Sequence, residues 1–191
     1  MKLGPCTACQ TGTFKEDSMI KLLIRASVLL LTAMVVFTGS VAAHDGRHFV
    51  ARLSGGEEVP ARETPAEGKA RFQLREDGTA LRFKLIVDDI ENVVASHIHC
   101  APAGVNGPVG VTLFGPAAPG GGPVDGRIAR ATVTAPDAGN GCNWANLAAV
   151  IAAMESGNAY VNVHTNDGVA PPNTGPGDFP GGEIRGQIEE K

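Results

Sequence analysis

Apolar and polar residues alternate with a period of two along three stretches near the middle of the chain. The stretches cover residues 48–53, 69–75 and 81–88, and their inward candidates are Phe49, Ala51, Leu53, Ala70, Phe72, Leu74, Leu81, Phe83, Leu85 and Val87. Because successive side chains of a strand point to opposite faces, this period predicts half-buried strands with one apolar face each. Asp77-Gly78, between the second and third stretches, predicts a hairpin turn, since Asp-Gly readily takes the positive φ that a tight turn needs.

Five further short runs of strand-forming residues follow, separated by Gly, Pro, Asn and Asp. They cover residues 93–100, 109–114, 126–134, 159–165 and 183–189. About eight short strands with such turns predict an all-β fold, an antiparallel Greek-key β-sandwich or barrel.

One segment, residues 143–157, departs from the period of two. Its apolar residues recur at helical spacing and Gly157 fits the residue that ends a helix, so we expect one short helix packed over one end of the sheets. The residues at helical spacing are Leu147, Val150, Ile151 and Met154. Two long loops rich in Gly and Pro, 115–123 and 167–182, are either functional or tolerated insertions.

The first part of the chain has the pattern of an export signal. Lys21 and Arg25 precede an apolar run over residues 26–37, and the small residues Val-Ala-Ala end the segment. We therefore expect a signal peptide over 19–43 and a mature domain over 44–191 that is secreted or periplasmic. The apolar run is short for a bilayer, so no membrane span is expected in the mature form; an uncleaved N-terminal anchor is the alternative.

Residues 1–18 lie ahead of that signal and contain Cys6-x-x-Cys9. No second CxxC follows, and a normal signal peptide begins at Met19. We expect residues 1–18 to be an upstream extension from a mis-assigned start, and we assign no function to the two cysteines.

Charge and cysteine content narrow the function further. Residues 44–191 hold 18 of the 20 acidic residues of the chain and 12 of its 16 basic ones, a formal net charge of −6. No basic stripe is visible in the sequence, so nucleic acid is not an expected partner. Cys100 and Cys142 are an even pair in an exported domain, which predicts a disulfide rather than two free thiols. Closing that loop would stabilise the fold by roughly 4 kcal/mol.

Two histidines stand two positions apart on one predicted strand. His97 and His99 point the same way, roughly 7 Å apart at the backbone. Ile98 and Val94 point to the opposite side, which we take as the core. The histidine face is therefore expected to be the outward, solvated one.

The same parity argument applies to the two C-terminal strands. The apolar residues of these strands are expected to point into the core, and the residues that alternate with them are expected to face outward. The apolar residues are Val161, Val163, Ile184 and Ile188. The outward residues are Tyr160, Asn162, His164, Glu183, Arg185 and Gln187. If the strands are neighbours, His164 lies close to His97 and His99.

Three neutral imidazoles are a common ligand set for copper or zinc. We predict a metal site at His97, His99 and His164, with Glu183 as a fourth ligand or as a partner that orients an imidazole. Copper should bind most tightly among common divalent ions, and affinity should fall as the imidazoles protonate near a pKa of about 6.5. The alternative is ordinary surface histidines that bond to Asn162, Glu183 or a loop carbonyl.

Three long segments of the chain resemble a known family. They are FVARLSGGEEVPARETPAEGKARFQL, SHIHCAPAGVNGPVGVTLF and YVNVHTNDGVAPPNTGPGDFPGGEIRGQI. Together, over about residues 47–189, they look like the chordin-type (CHRD) domain. The resemblance implies an extracellular all-β module, and it implies little about activity, because bacterial single-domain members are described without an assigned reaction. A weaker likeness, to copper-zinc superoxide dismutases, rests on the HxH strand, the Greek-key body and one disulfide; no histidine lies between His99 and His164, where those enzymes carry their zinc ligands.

These observations predict an exported binding module for an unknown extracellular ligand or protein, with copper or zinc at a surface histidine cluster. One alternative is a copper-dependent redox enzyme of the superoxide-dismutase type. The other is a structural or adhesive envelope protein without metal. No GxSxG, P-loop or dinucleotide fingerprint occurs, so we assign no catalytic residue and no organic cofactor.

Overall fold

The computed structural model describes residues 46–191, and these residues form strands with a single α-helix. The strands are β1 His48–Ser54, β2 Glu67–Leu74, β3 Leu81–Glu91, β4 Val93–His99, β5 Val109–Phe114, β6 Pro123–Val133, β7 Tyr160–Thr165, β8 Ile184–Gln187 and β9 Glu189–Glu190. The helix is α1, Leu147–Glu155, and a 3-10 turn covers Gly55–Glu57. The expected extension 1–18, signal peptide 19–43 and mature terminus at His44 lie outside the described residues.

The strands form one antiparallel sheet that nearly closes into a barrel. Its order is β5-β4-β7-β8-β1-β2-β3-β6, and β9 pairs with β1. The two edge strands, β5 and β6, contact each other. Long connections bring β7 beside β4 and β6 beside β3, so the order is not a simple meander. The predicted all-β antiparallel body with one short helix is confirmed.

The parity prediction identified the core correctly. Every inward candidate of the first three stretches is buried, as are Ile98, Val161, Val163, Ile184 and Ile188. Val94 is the exception: it is half-buried, while Val93 is buried, because the β4–β7 register shifts between Val93 and Ala95. The hairpin at Asp77-Gly78 is also confirmed, since Gly78 has φ +69° and its N–H donates to the Arg75 carbonyl.

Helix α1 is shorter than the predicted 143–157. The Asn146 side chain accepts a hydrogen bond from the Ala149 N–H and caps the helix, which begins at Leu147. Asn143 has φ +56°, outside the helical region, so the residues before the cap cannot continue the helix. The four residues at helical spacing are all buried, and Gly157 takes φ +69° just beyond the C-cap Ser156.

A disulfide joins Cys100 to Cys142, as predicted, with 5.7 Å between their Cα atoms. It ties the residue after β4 to the segment that leads into α1. The bond therefore anchors the histidine-bearing end of β4 to the helical segment, and it closes a loop of 42 residues in sequence separation. No helix in the part of the chain that the structure describes is long and apolar enough to cross a membrane.

Strand pairing gives the folded surface a charge distribution that the linear sequence does not show. The exposed face of β1, β2, β3 and β6 carries many of the basic residues of the domain, which strand pairing brings together from four separate stretches. A cluster of basic residues that the linear sequence does not show is therefore present on the folded surface.

Candidate metal centre

The antiparallel pairing of β4 with β7 brings the three histidines together. His97 lies opposite Asn162, and Ala95 lies opposite His164, so His97 and His164 are diagonal neighbours on one face. The ligand nitrogens of His97, His99 and His164 all lie within 4.8 Å of one another. His97 Nδ1 is 3.1 Å from His164 Nε2. Two nitrogens bound tetrahedrally to one ion at about 2.0–2.1 Å lie about 3.3 Å apart, so the spacing suits a shared ion. The predicted histidine cluster is confirmed.

Backbone carbonyls orient two of the three rings through Nδ1, the nitrogen that is not the proposed ligand atom. His99 Nδ1 is 2.8 Å from the Gly107 carbonyl, and His164 Nδ1 is 2.9 Å from the Pro180 carbonyl. A carbonyl only accepts, so each Nδ1 carries the proton and each Nε2 presents a lone pair. This is the arrangement that typically orients metal-ligating histidines. His99 Nε2 is buried without a hydrogen-bond partner among the described residues.

A stack of three side chains fixes the His99 ring. The rings of His99 and Tyr160 are stacked with centroids 4.9 Å apart, and the Arg185 guanidinium carbon lies 3.5 Å from the centroid of Tyr160. Arg185 in turn donates hydrogen bonds to the carbonyls of Pro102 and Val105 and to Asn106 Oδ1. The segment that follows β4 is therefore wrapped over the outer face of the sheet.

This wrapping corrects the prediction that the histidine face is solvated. His99, Tyr160, Asn162 and Arg185 have the outward parity that was predicted, yet each is at most 7 % exposed. Parity decides which side a residue points to, but it does not show whether a loop covers that side. His97 and His164 are half-buried, so solvent still reaches part of the cluster.

Glu183 does not join the histidines, although it was predicted as a fourth ligand or as a partner that orients an imidazole. Its Oε1 accepts a hydrogen bond from Thr64 Oγ1 at 2.5 Å, and its Oε2 accepts from Thr165 Oγ1 at 2.6 Å and from the Gly177 N–H at 2.9 Å. The side chain is fully buried and both oxygens are engaged. Glu183 instead fastens the loop before β8 to the end of β7, and this loop carries the Pro180 carbonyl that orients His164.

The environment keeps the imidazoles neutral. Burial, followed by the proximity of His164 and His99, lowers the pKa of His97 to about 4, against a smaller opposing effect of Asp137. Burial also lowers the pKa of His99 and of His164, although the hydrogen bonds to Gly107 and Pro180 oppose it. At neutral pH all three rings are therefore uncharged, so no imidazolium has to lose its charge before a metal binds. The acid limit predicted from an ordinary pKa of about 6.5 moves to lower pH.

Sequence reasoning missed a buried carboxyl beside the cluster. Glu58 is 7 % exposed, and burial raises its pKa to about 7 against the opposing charges of Arg185 and Arg62. Asn162 adjoins both Glu58 and His99. Glu58 Oε1 and Asn162 Oδ1 are, like His99 Nε2, buried polar atoms that make no hydrogen bond of good geometry among the described residues, although Asn162 lies close enough to Glu58 and His99 to influence the pKa of both. In the sequence Glu58 lies in the first of the three segments that resemble the family, and that resemblance did not reveal its burial.

The fold and site together define an all-β domain with a preorganised histidine triad on the outer face of its sheet. The family model for the CHRD domain matches residues 49–188. The chain belongs to the CHRD domain family. Neither a curated protein nor a solved structure matches the chain, so the weaker likeness to copper-zinc superoxide dismutases rests on sequence features alone.

Proposed function

We propose that this CHRD domain is a binding module that holds one copper or zinc ion through His97 Nδ1, His99 Nε2 and His164 Nε2. The observation that carries the proposal is the set of three ligand nitrogens within 4.8 Å, two of them oriented by carbonyls on the far side of the ring. Neutral imidazole nitrogens suit copper and zinc, and the Irving–Williams order favours Cu²⁺.

Burial gives the proposed ligands a further advantage. An unpaired acceptor in a buried position costs free energy, and His99 Nε2 is such an acceptor. Coordination of a cation would satisfy it. The stack of His99, Tyr160 and Arg185 holds the ring before the ion arrives, so little ordering is needed on binding.

A copper-dependent redox activity is the second candidate. It requires a coordination position that small molecules can reach, and the half-buried His97 and His164 leave the cluster open on one side. Superoxide consumption by the copper-loaded protein distinguishes the two: turnover that is lost in His99→Ala supports the enzyme, and binding without turnover supports the module.

Isothermal titration of the untagged exported protein with copper and with zinc tests the proposal. We expect one ion per chain, and a loss of affinity of at least about tenfold in each of His97→Ala, His99→Ala and His164→Ala. His48→Ala is the matched control, because His48 lies on β1 outside the cluster. Equal copper affinity in all five proteins would leave these residues as ordinary surface histidines, as in the adhesive alternative.

A further inference from the structure

Strand pairing gathers seven basic residues on one side of the barrel. Across β1, β2, β3 and β6, Arg52 lies opposite Lys69, Ile86 lies opposite Arg127, and Arg71, Lys84 and Arg130 form a continuous row. We call Arg52, Lys69, Arg71, Arg82, Lys84, Arg127 and Arg130 the cationic face. Six of them are exposed and Lys69 is half-buried. They are seven of the 12 basic residues of 44–191, a domain whose formal net charge is −6.

A β-bulge in the β3–β6 pair completes the cationic face. Lys84 pairs with Arg130 and Ile86 pairs with Arg127, so two positions on β3 correspond to three on β6. Strict alternation would send Arg127 and Arg130 to opposite faces of the sheet. The extra residue keeps both arginines exposed on the same side, which is the kind of redirection that bulges provide.

The central part of the cationic face, around Arg71, Arg82, Lys84 and Arg130, lines a depression without any carboxylate, whereas acidic residues adjoin Arg52 and Lys69 at the other end. Among residues 46–191, none of its seven members forms an ion pair; the ion pairs there are Arg47 with Glu155 and Arg75 with Asp77. Arg71 and then Arg52 lower the pKa of Lys69, because like charges face one another across the strands. Such mutual repulsion in an acidic domain indicates a surface suited to an anionic partner.

The shape of the face favours a linear polymer over a flat membrane. It contains a shallow depression of about 540 Å³ lined by Arg71, Arg82, Lys84 and Arg130. A second depression, of about 570 Å³, is of mixed charge: Arg52, Lys69 and Lys191 line it together with Glu57, Glu67, Asp88 and Glu189. Neighbouring strands place cations about 4.8 Å apart across the face. The exposed large apolar side chains of the described residues, Val105 and Val169, lie in loops, so the face has nothing to insert into a bilayer.

Other features discriminate among polymers. Phe72 and Phe83 point into the core, so neither ring offers a platform for nucleic-acid bases, and the His48 ring beside the face is half-buried. The Cys100–Cys142 disulfide is typical of an oxidising compartment outside the cytoplasm. Five of the seven cations are arginines, whose planar forks bind carboxylate or phosphate groups in a bidentate way.

We propose that the cationic face binds a carboxylate-bearing acidic polysaccharide. The cationic face lies on strands other than those that carry the histidine cluster. The polysaccharide proposal is therefore independent of the proposed metal centre. Because the attraction is between exposed charges, binding weakens as salt rises.

Titration of the full exported protein with a labelled alginate octamer, followed by fluorescence anisotropy, tests this. Arg71→Gln, Lys84→Gln and Arg130→Gln remove successive charges of the central row, and each should weaken binding about two- to fivefold. The triple variant should lose at least about tenfold. Val169→Glu changes the net charge by the same single unit in a distant exposed loop and should leave the affinity unchanged. Thermal melting of each variant verifies that the fold is retained.

Four results would overturn the proposal. The first is equal alginate affinity in the wild type and the triple variant, and the second is equal binding of neutral dextran. The third is tighter binding of duplex DNA or of anionic phosphatidylglycerol vesicles than of alginate at matched charge. The fourth is a salt-sensitive dimer that the triple variant abolishes, since the face would then bind a second copy of the chain.

Discussion

His97 Nδ1 faces His164 Nε2 at 3.1 Å across the β4–β7 pair. Because His164 Nδ1 donates its proton to the Pro180 carbonyl, His164 Nε2 can only accept. The proton between the two rings therefore belongs to His97 Nδ1. A metal that used both nitrogens would have to displace this proton.

Metal binding should switch the tautomer of His97. In the metal-free protein we expect the proton on Nδ1, and in the zinc-loaded protein on Nε2, because Nδ1 then donates its lone pair to the ion. Nitrogen-15 NMR of the imidazoles measures this directly. His99 and His164 should keep their Nδ1 protons throughout, since Gly107 and Pro180 hold them. An unchanged His97 tautomer on saturation with zinc would contradict coordination through Nδ1.

Copper affinity should stay nearly constant as pH falls from about 8 to about 6.5, although an ordinary imidazole is already half protonated at the lower limit. The pKa of His97 is lowered to about 4, and those of His99 and His164 are lowered too. The main loss of affinity should therefore come well below pH 6.5. Competition titrations at stepped pH check this, and a midpoint of the loss near pH 6.5 would show that the rings are not shielded.

The same pKa shift should make folding stability depend on pH. Between about pH 6.5 and about 4 the unfolded chain binds a proton at His97 that the folded chain does not, so this contribution to stability is lost as pH falls. Glu58, whose folded pKa is raised to about 7, acts in the opposite direction. Urea denaturation of the wild type and of His97→Gln at each pH separates the two contributions. Glu58 is present in both proteins, so its contribution cancels when one unfolding free energy is subtracted from the other. The wild type should lose more stability than the variant on acidification, and parallel curves would refute the shift.

The sequence predicted the core and the histidine cluster because both depend on a local rule. Alternation at a period of two assigns each strand residue to one face of the sheet. The apolar face is buried whatever the order of the strands, so the assignment does not depend on the topology. The rule failed at Val94, where a register shift interrupts the alternation. It also concealed the cationic face, because the bulge at β6 reverses the parity of Arg127 relative to Arg130.

Contacts between distant segments were beyond such a rule. Glu183 accepts a hydrogen bond from Thr64, which is 119 positions away in sequence. The sequence around either residue does not indicate this contact. Likewise the burial of Arg185 depends on the segment after β4, which folds over the sheet. Periodicity shows direction, whereas coverage by loops requires the three-dimensional path of the chain.

The disulfide gives a stability prediction. Cys142→Ser should lower the unfolding free energy by up to about 4 kcal/mol, since the bond closes a long loop in the unfolded chain. Denaturation under non-reducing conditions measures the effect. Reductant should reproduce it in the wild type and add nothing in the variant. Two alkylatable thiols in natively purified wild type would mean that Cys100 and Cys142 are not bonded.

Gly182 is the position where a single methyl group should disturb the site most. It has φ +126°, and a Cβ there would lie 2.4 Å from Glu58 Oε1 and 2.8 Å from Asn162 Nδ2. Gly182→Ala should therefore strain the backbone and displace the two buried side chains, with a cost of about 2–4 kcal/mol.

Gly181→Ala is the matched control for that substitution. The neighbouring glycine is exposed, has no positive φ, and its nearest contact to an added Cβ would be Arg62 Nη2 at 3.9 Å, so the change should stay within about 0.5 kcal/mol. Urea denaturation gives both values, and copper titration of the same proteins gives the effect on the site. Because Asn162 adjoins His99, and Pro180 orients His164 from the same loop, copper affinity should fall in Gly182→Ala and not in Gly181→Ala. Equal stability and equal copper affinity in the two variants would show that the loop before β8 neither packs on Glu58 nor supports the histidines.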